Sequence, residues 1–331
     1  MSITIKRYTE GESEKIWENL VLSSPQGTIF HTRRFLSYHP EGRFTDHSLL
    51  FFDGGKLLAV FPAAEVPEET GSRILKSHPG ASYGGIVTYN NLQTGDCIEL
   101  TEALVSYASR QGFKSIEFRA TERIFHRCPA EQMEYALLRS GFLRAYEEVG
   151  TYFDLEDHWS RSDDEIIMAI SEKPRRSIRR GLEHGLQFRL LSEKETRDIH
   201  ALITKNLTKH GASPTHSEEE LMRLASLFPT RVRSFGNFDG TALISGFVLF
   251  EINPGKWHIF YAAMDYEYSK LYPLHLGLYQ LLCWARNNRY KYLNYGISTE
   301  DRGRVINSGL LKFKESFGGN AVIRTYWTKQ L

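Results

Sequence analysis

Lys173-Pro-Arg175-Arg176-Ser-Ile-Arg179-Arg180 places five positive charges in eight residues with no acidic residue between them, the one local basic cluster of the chain. On a helix opened by Pro174, Arg175 and Arg179 share one face and Arg176 and Arg180 the next, a two-row fork suited to a phosphate or other polyanion. The plain alternative is a solvated helix face. Near the other end, Ser308 to Gly319 predicts a short amphipathic helix with Leu310, Phe313 and Phe317 on its buried side and glycines ending it. Lys314 stands about 100° round that helix from Phe313. By spacing alone it is a surface lysine, because lysines seldom bury their charge.

Other reactive patterns lack their context. Gly80-Ala-Ser82-Tyr-Gly84 matches the GxSxG of a serine hydrolase, which needs a strand before and a helix after the serine. Here Pro79 precedes it and the β-favouring Gly85-Ile-Val-Thr-Tyr89 follows, so a glycine-rich approach to a strand is the better reading. The twelve histidines form no HExxH, and His210, His216 and His275 read as helix-end, loop or packed residues rather than metal ligands. Neither a Walker loop nor a GxGxxG between strand and helix is present.

The elements that must position these residues follow one plan twice. The first half offers a strand at Ile3–Lys6, a helix at Ser13–Leu22, a hairpin turning on Asp53-Gly54, and a linker-like Pro67–Ser72. A strand at Tyr83–Tyr89, a helix at Leu100–Gln111 and a strand at Phe113–Arg119 follow, with Gln132–Ser140 helix-like beyond them. The second half repeats the order with a helix at Lys194–His210, a hairpin on Asp239-Gly240, a strand at Trp257–Met264, a helix at Leu274–Asn287 and a strand at Tyr290–Tyr295. Asp53 corresponds to Asp239, Tyr83 to Tyr261 and Gly112 to Asn288 at nearly constant spacing, which predicts a duplicated α/β domain. A boundary falls near Glu148–Asp157, and Asn320–Trp327 is a last strand.

With 331 residues, 41% hydrophobic and 24% charged, the chain is a folded protein long enough for two domains. Its 41 Lys and Arg against 40 Asp and Glu give a net charge of +1, so any polyanion must be met by a local site and DNA is not an expected partner. The three cysteines, Cys97, Cys128 and Cys283, form no CxxC, which suits a reducing cytoplasm. No secretory signal and no span of roughly 18 apolar residues is seen, so no integral membrane contact is expected.

In order along the chain, the second half resembles the FemABX acyl- and aminoacyl-transferases, which are built from two GNAT-like domains. The likeness is carried by Ser171–Arg180 with His184-Gly185, Lys209-His210-Gly211, Trp257–Asp265, Tyr272-Pro273 leading to Trp284-Ala285, and Tyr295-Gly296-Ile297 followed by Phe313-Lys314. The first half carries it in Ser24–Phe30, Tyr83-Gly84-Gly85 and Ile116–Arg119. The resemblance implies an α/β (α+β) chain of tandem duplicated GNAT-like domains, each a mixed, mostly antiparallel sheet flanked by helices. The domains would be 1–152 plus 320–331, and 153–319. It implies acyl or aminoacyl transfer from an activated donor to an amine, with Phe313 and Lys314 lining the transfer site. Lys314 would stabilise the oxyanion, and Tyr261, where GNAT-like sheets splay open, would shape the pocket or relay a proton. Arg175, Arg176, Arg179 and Arg180, with Tyr83, Tyr272 and Asp265, would contact substrate. The donor would be an acyl-CoA or an aminoacyl-tRNA, with no tightly bound cofactor and no metal. The partners would be a small-molecule or precursor amine and, with the second donor, the acceptor end of tRNA.

Acetyl-CoA users of the superfamily present a Q/R-x-x-G-x-G/A turn at a helix N-terminus. Ser269–Gly277, in the equivalent place, lacks that pattern, and the family's nucleotide-holding loops are matched imperfectly by Arg33-Arg34 and Ser213–His216. A GNAT-like module that binds an anion without turning it over is the alternative.

Overall fold

In the computed structural model, residues 2–69, 71–90, 92–209 and 211–331 are described; His210, expected at a helix end, lies outside them. The chain runs β1 (Ile3–Arg7), α1 (Glu12–Ser23), α2 (Arg33–Leu36), β2 (Thr45–Asp46), β3 (Leu49–Asp53), β4 (Lys56–Phe61), β5 (Ala63–Pro67), β6 (Arg73–Ser77), β7 (Val87–Thr88), α3 (Thr94–Arg110), β8 (Ser115–Arg119), α4 (Gln132–Arg139) and β9 (Leu143–Asp154). It continues through α5 (Asp163–Met168), α6 (Glu172–Glu183), β10 (Gln187–Leu190), α7 (Thr196–Thr208), α8 (Glu218–Leu227), β11 (Val232–Asp239), β12 (Ala242–Asn253), β13 (Lys256–Met264), α9 (Pro273–Asn287), β14 (Tyr292–Ile297), β15 (Thr299–Glu300), β16 (Val305–Ile306), α10 (Ser308–Ser316) and β17 (Asn320–Gln330). Two compact units form: residues 1–148 with 323–331, and residues 149–322.

In the first unit the expected hairpin joins β3 and β4, Asp53 facing Lys56, with φ of +53° at Gly54 and +86° at Gly55, the two positive values that a tight two-residue turn demands. Trp17, Leu20 and Val21 of α1 pack on Leu50, Val60 and Val87, while Ile16 is exposed. The segment expected to be a linker separates two paired strands instead: β5 and β6 pair antiparallel, from Pro67 facing Arg73 to Ala63 facing Ser77. β6 then pairs parallel with β8 through the α3 crossover, and β17 adds antiparallel to the far side of β8. Tyr83–Tyr89 is therefore not the counterpart of β13. Only Val87–Thr88 is strand, and the residues before it form a loop. Ser82 sits on that loop with no helix after it, so the nucleophile elbow is absent from this segment.

The core of this unit includes Phe51, Phe61, Leu75, Leu104, Ile116 and Trp327. His31 is also fully buried, and burial pushes its ring down to about 4. The unfolded ring takes a proton below about 6.5, whereas the folded ring stays neutral until about 4. The His31 contribution is therefore complete above pH 6.5 and is lost as pH falls toward 4, at about 1.4 kcal/mol per pH unit. Urea midpoints recorded from pH 7 to 4.5 should fall at least this steeply, because burial lowers His78 as well, and His31→Gln should remove the His31 share and make the fall shallower; curves parallel to wild type would refute the assignment.

The second unit orders its strands β10-β11-β12-β13-β14 and then the 149–154 part of β9. The hairpin between β11 and β12 turns at Gly240, with φ of +57° and Asp239 facing Ala242. α9 crosses from β13 to β14, which pair parallel. Its Leu276, Leu281 and Leu282 join Phe247, Trp257 and Leu293 in the core. α6 lies against α9 at Gly181, where a Cβ would come within 3.2 Å of the Leu276 side chain and 3.3 Å of the Leu271 carbonyl.

Candidate acyl-transfer site

β13 and β14 pair only from Lys256 opposite Tyr292 to His258 opposite Asn294. Just beyond, each strand carries a bulge. On β13, Tyr261 faces Val248 and Ile259 faces Leu249, so Phe260 is the extra residue. On β14, Asn294 faces Tyr152 and Gly296 faces Thr151, which leaves Tyr295 extra. A bulge adds twist and re-aims its strand, and two at one level accompany the parting of neighbouring strands. The side-chain oxygen of Asn294 accepts the Gly296 N–H at 2.7 Å, closing the second bulge, and Gly296 has the positive φ of +78° that glycine accepts readily.

Lys314 stands at the opening. Its ammonium donates to the carbonyls of Gly296 at 3.0 Å and Ile297 at 2.6 Å, both past the end of the parallel ladder, and the residue is only 6% exposed. This corrects the spacing argument, which makes Lys314 a surface residue and Leu310 a core one; Leu310 is exposed. The reversal has a physical cause. Carbonyls at a point where strands part need donors, and an ammonium with three N–H groups supplies two bonds from one side chain.

Beside it runs a row of rings: Tyr272 to His275 at 5.9 Å, His275 to Phe313 at 5.3 Å, and Phe313 to Phe317 at 5.0 Å. Burial, and secondly the charge of Lys173, lowers the His275 ring below its usual range and favours the neutral form. Tyr272 ends a 3-10 turn with φ of +55° and precedes Pro273, so the α9 N-terminus replaces the glycine turn with a left-handed tyrosine and a residue that has no N–H. Arg180 reaches this corner, its guanidinium donating to the Tyr272 hydroxyl at 3.2 Å.

The remaining expected contacts fall as follows. Arg175 turns inward, donating to the Ile170 carbonyl at 2.9 Å; Arg176 lies 3.8 Å from Glu172; Arg179 is exposed. The Tyr261 hydroxyl receives the His216 N–H at 3.2 Å and lies 2.9 Å from His216 Nδ1, so it ties down the loop before α8. Burial raises the Tyr261 hydroxyl, while hydrogen bonds from His216 and Thr215 oppose the shift. Asp265 receives Lys205 at 2.8 Å and caps the 3-10 turn through Glu267 N–H. Tyr83 belongs to the other unit and is 1% exposed, its hydroxyl held by Arg324 at 3.2 Å. Arg33, the first residue of α2, stacks on Tyr8 at 3.9 Å and pairs with Asp46.

In the first unit the gap between β6 and β8 is filled by the chain itself. Gly84 N–H donates to the Arg119 carbonyl at 2.8 Å, and Arg119 N–H donates to Ser77 Oγ at 3.2 Å. A Cβ on Gly84 would stand 2.5 Å from that of Ser77. Gly84→Ala should therefore destabilise by about 1–3 kcal/mol, as overpacking does; an unchanged urea midpoint would mean that the segment is not wedged there.

Residue patterning did not single out His258 and Asn294. Their signal was a polar residue within each of two otherwise apolar strands, Trp257-His-Ile-Phe and Tyr292-Leu-Asn-Tyr. Among the described residues no group of three His, Cys, Asp or Glu side chains could hold a metal, and no helix is long and apolar enough to cross a membrane.

No protein-family model matches the sequence, and no curated protein sequence matches it. Solved structures do. FemX superposes with a TM-score of 0.73 at 12% identity, over 99% of this chain and 97% of that one. The fold is the tandem GNAT-like fold of FemX. The C-terminal domain of a putative lysylphosphatidylglycerol synthetase from Agrobacterium fabrum matches at 0.59 and 13% identity, over 96% and 91% of the two chains. A tandem GNAT protein from the clavulanic acid biosynthesis pathway matches at 0.56 and 9%, over 99% and 98%. In GNAT-like terms, the parted pair is β13 and β14 in the second unit, and its first-unit equivalent, β6 and β8, is closed by Gly84.

Proposed function

We propose that the protein is an acyltransferase moving an acyl or aminoacyl group from an activated donor to an amine, with the reaction in the slot between β13 and β14. The observation that carries this reading is Lys314, whose ammonium is fixed by two carbonyls where the strands part. As the amine attacks the donor carbonyl, charge collects on the carbonyl oxygen, and a fixed cation in a dry site stabilises it without reorganising. The Tyr272–Phe313 row of rings offers an apolar wall for the donor, with Phe313 beside the reacting carbon, and Tyr261 holds the loop that borders the acceptor side. Arg176, Arg179, Arg180 and Lys173 supply positive charge for a phosphate-bearing leaving group, either a CoA or the acceptor end of a tRNA. A cell-envelope precursor is one amine that fits the resemblance.

The start of α9 favours a second reading. Tyr272 and Pro273 provide fewer backbone donors than a glycine turn, which suits an anion-binding module without turnover. Incubation with acyl-CoA and with aminoacyl-tRNA, beside a panel of amines, separates the two by mass spectrometry. Acylated amine is expected. Ligand-dependent thermal stabilisation with no product under any donor would support the binding module instead.

A further inference from the structure

His258 has no part in the roles assigned so far, yet it is the last residue of β13 to pair with β14, at the mouth of the slot. Opposite it, Asn294 is fully buried. A backbone N–H can only donate, so the Gly296 N–H, at 2.7 Å, identifies the facing atom of the Asn294 amide as its oxygen. That same oxygen is 2.8 Å from His258 Nδ1. An oxygen there requires Nδ1 to carry the proton, which leaves the lone pair of the neutral ring on Nε2. The ring and the ammonium also border one point: the position of a Cβ on Gly296 lies 3.4 Å from His258 Cε1 and 3.9 Å from Lys314 Nζ.

We infer that His258 is the base that takes the acceptor amine's proton, and that Asn294 is the positioning residue that fixes its tautomer. The inference rests on the acyl-transfer reading and deepens it at the same slot. The free amine attacks the donor carbonyl; the N–C bond forms and the π pair moves onto oxygen beside Lys314. The nitrogen, now positively charged, passes a proton to His258 Nε2. Collapse of the intermediate restores the carbonyl and breaks the C–O or C–S bond. The leaving group departs with the bonding pair, and the imidazolium returns the proton to it.

Among the described residues, those around the ring include Phe250 of β12, Phe260 of β13, Asn294 of β14 and Lys314 of α10, with His216 behind Phe260 at 5.0 Å from that ring. Among these, Lys314 carries a charge and His216 titrates. The test is the pH profile of kcat for wild type, His258→Gln, Asn294→Asp and His216→Asn, using the acyl-CoA or aminoacyl-tRNA that the wild type accepts. His258→Gln should lower kcat by about 10²-fold or more and abolish the acid limb. Asn294→Asp should move that limb to higher pH, because a carboxylate stabilises the imidazolium, and His216→Asn should leave it in place. Should His258→Gln fail to fold, the Asn294→Asp limb decides. Nitrogen-15 spectra should show His258 neutral with its proton on Nδ1. An active wild type whose limb and kcat survive in His258→Gln, or whose limb follows His216, overturns the assignment alone. A wild type inactive with every donor overturns the acyl-transfer reading and this inference together.

Discussion

Lys314→Met lowers kcat by about 10²-fold or more, the loss seen when one oxyanion donor is removed. KM for the donor changes little, because the ammonium acts on charge present in the transition state rather than in the bound substrate. Methionine keeps the length of the side chain while removing the donors to Gly296 and Ile297. Two carbonyls lose a partner, so the fold weakens by about 1–3 kcal/mol for each that stays dry. Steady-state kinetics beside a urea midpoint separate the two effects. A variant as active as wild type would take Lys314 out of the reaction; one that loses activity only in step with its folded fraction would reduce it to a structural strut.

Arg324→Met destabilises the first unit by about 3–5 kcal/mol, the range for a buried ion pair that loses one partner. Arg324 is 8% exposed and Glu122 2%. The guanidinium donates to Glu122 at 3.1 Å and to the Tyr83 hydroxyl at 3.2 Å, and lies 3.9 Å from Glu148. Glu148 in turn accepts the Tyr326 hydroxyl at 2.8 Å. Removing the cation leaves two carboxylates at one poorly solvated point, which is the costly half of such an arrangement. The double variant Arg324→Met/Glu122→Leu should recover a large share of the loss, since replacing both partners avoids the orphaned charge. Equilibrium denaturation of the three proteins decides it: equal midpoints for wild type and Arg324→Met would show that water already screens the pair.

How far the sequence spoke depended on the distance between the residues involved. The Asp53-Gly54 and Asp239-Gly240 turns were legible because turn chemistry is local, and the helices at 94–110 and 273–287 because a buried face repeats every turn. The basic helix was legible as a helix, yet the inward turn of Arg175 depends on the Ile170 carbonyl, which spacing does not locate. Lys314 was misplaced by the same kind of reasoning: helical periodicity ranks it polar, and only the bulge at Tyr295, on another element, explains why an ammonium belongs inside. The equation of Tyr83 with Tyr261 failed for a related reason. Parallel pairing joins β6 to β8 across the 37 residues from 78 to 114, and a loop lying between them resembles a strand in composition.

β17 leaves the second unit at residue 322 and completes the first with residues 323–331, among them the buried Arg324 and Trp327. On the ribosome those residues emerge only after all of the second unit has been made. Until then the first unit holds Glu122 without its cation and a core without Trp327, so the usual order of N-terminal part first is blocked. A released chain ending at residue 322 should expose its first 148 residues to protease while the second unit closes.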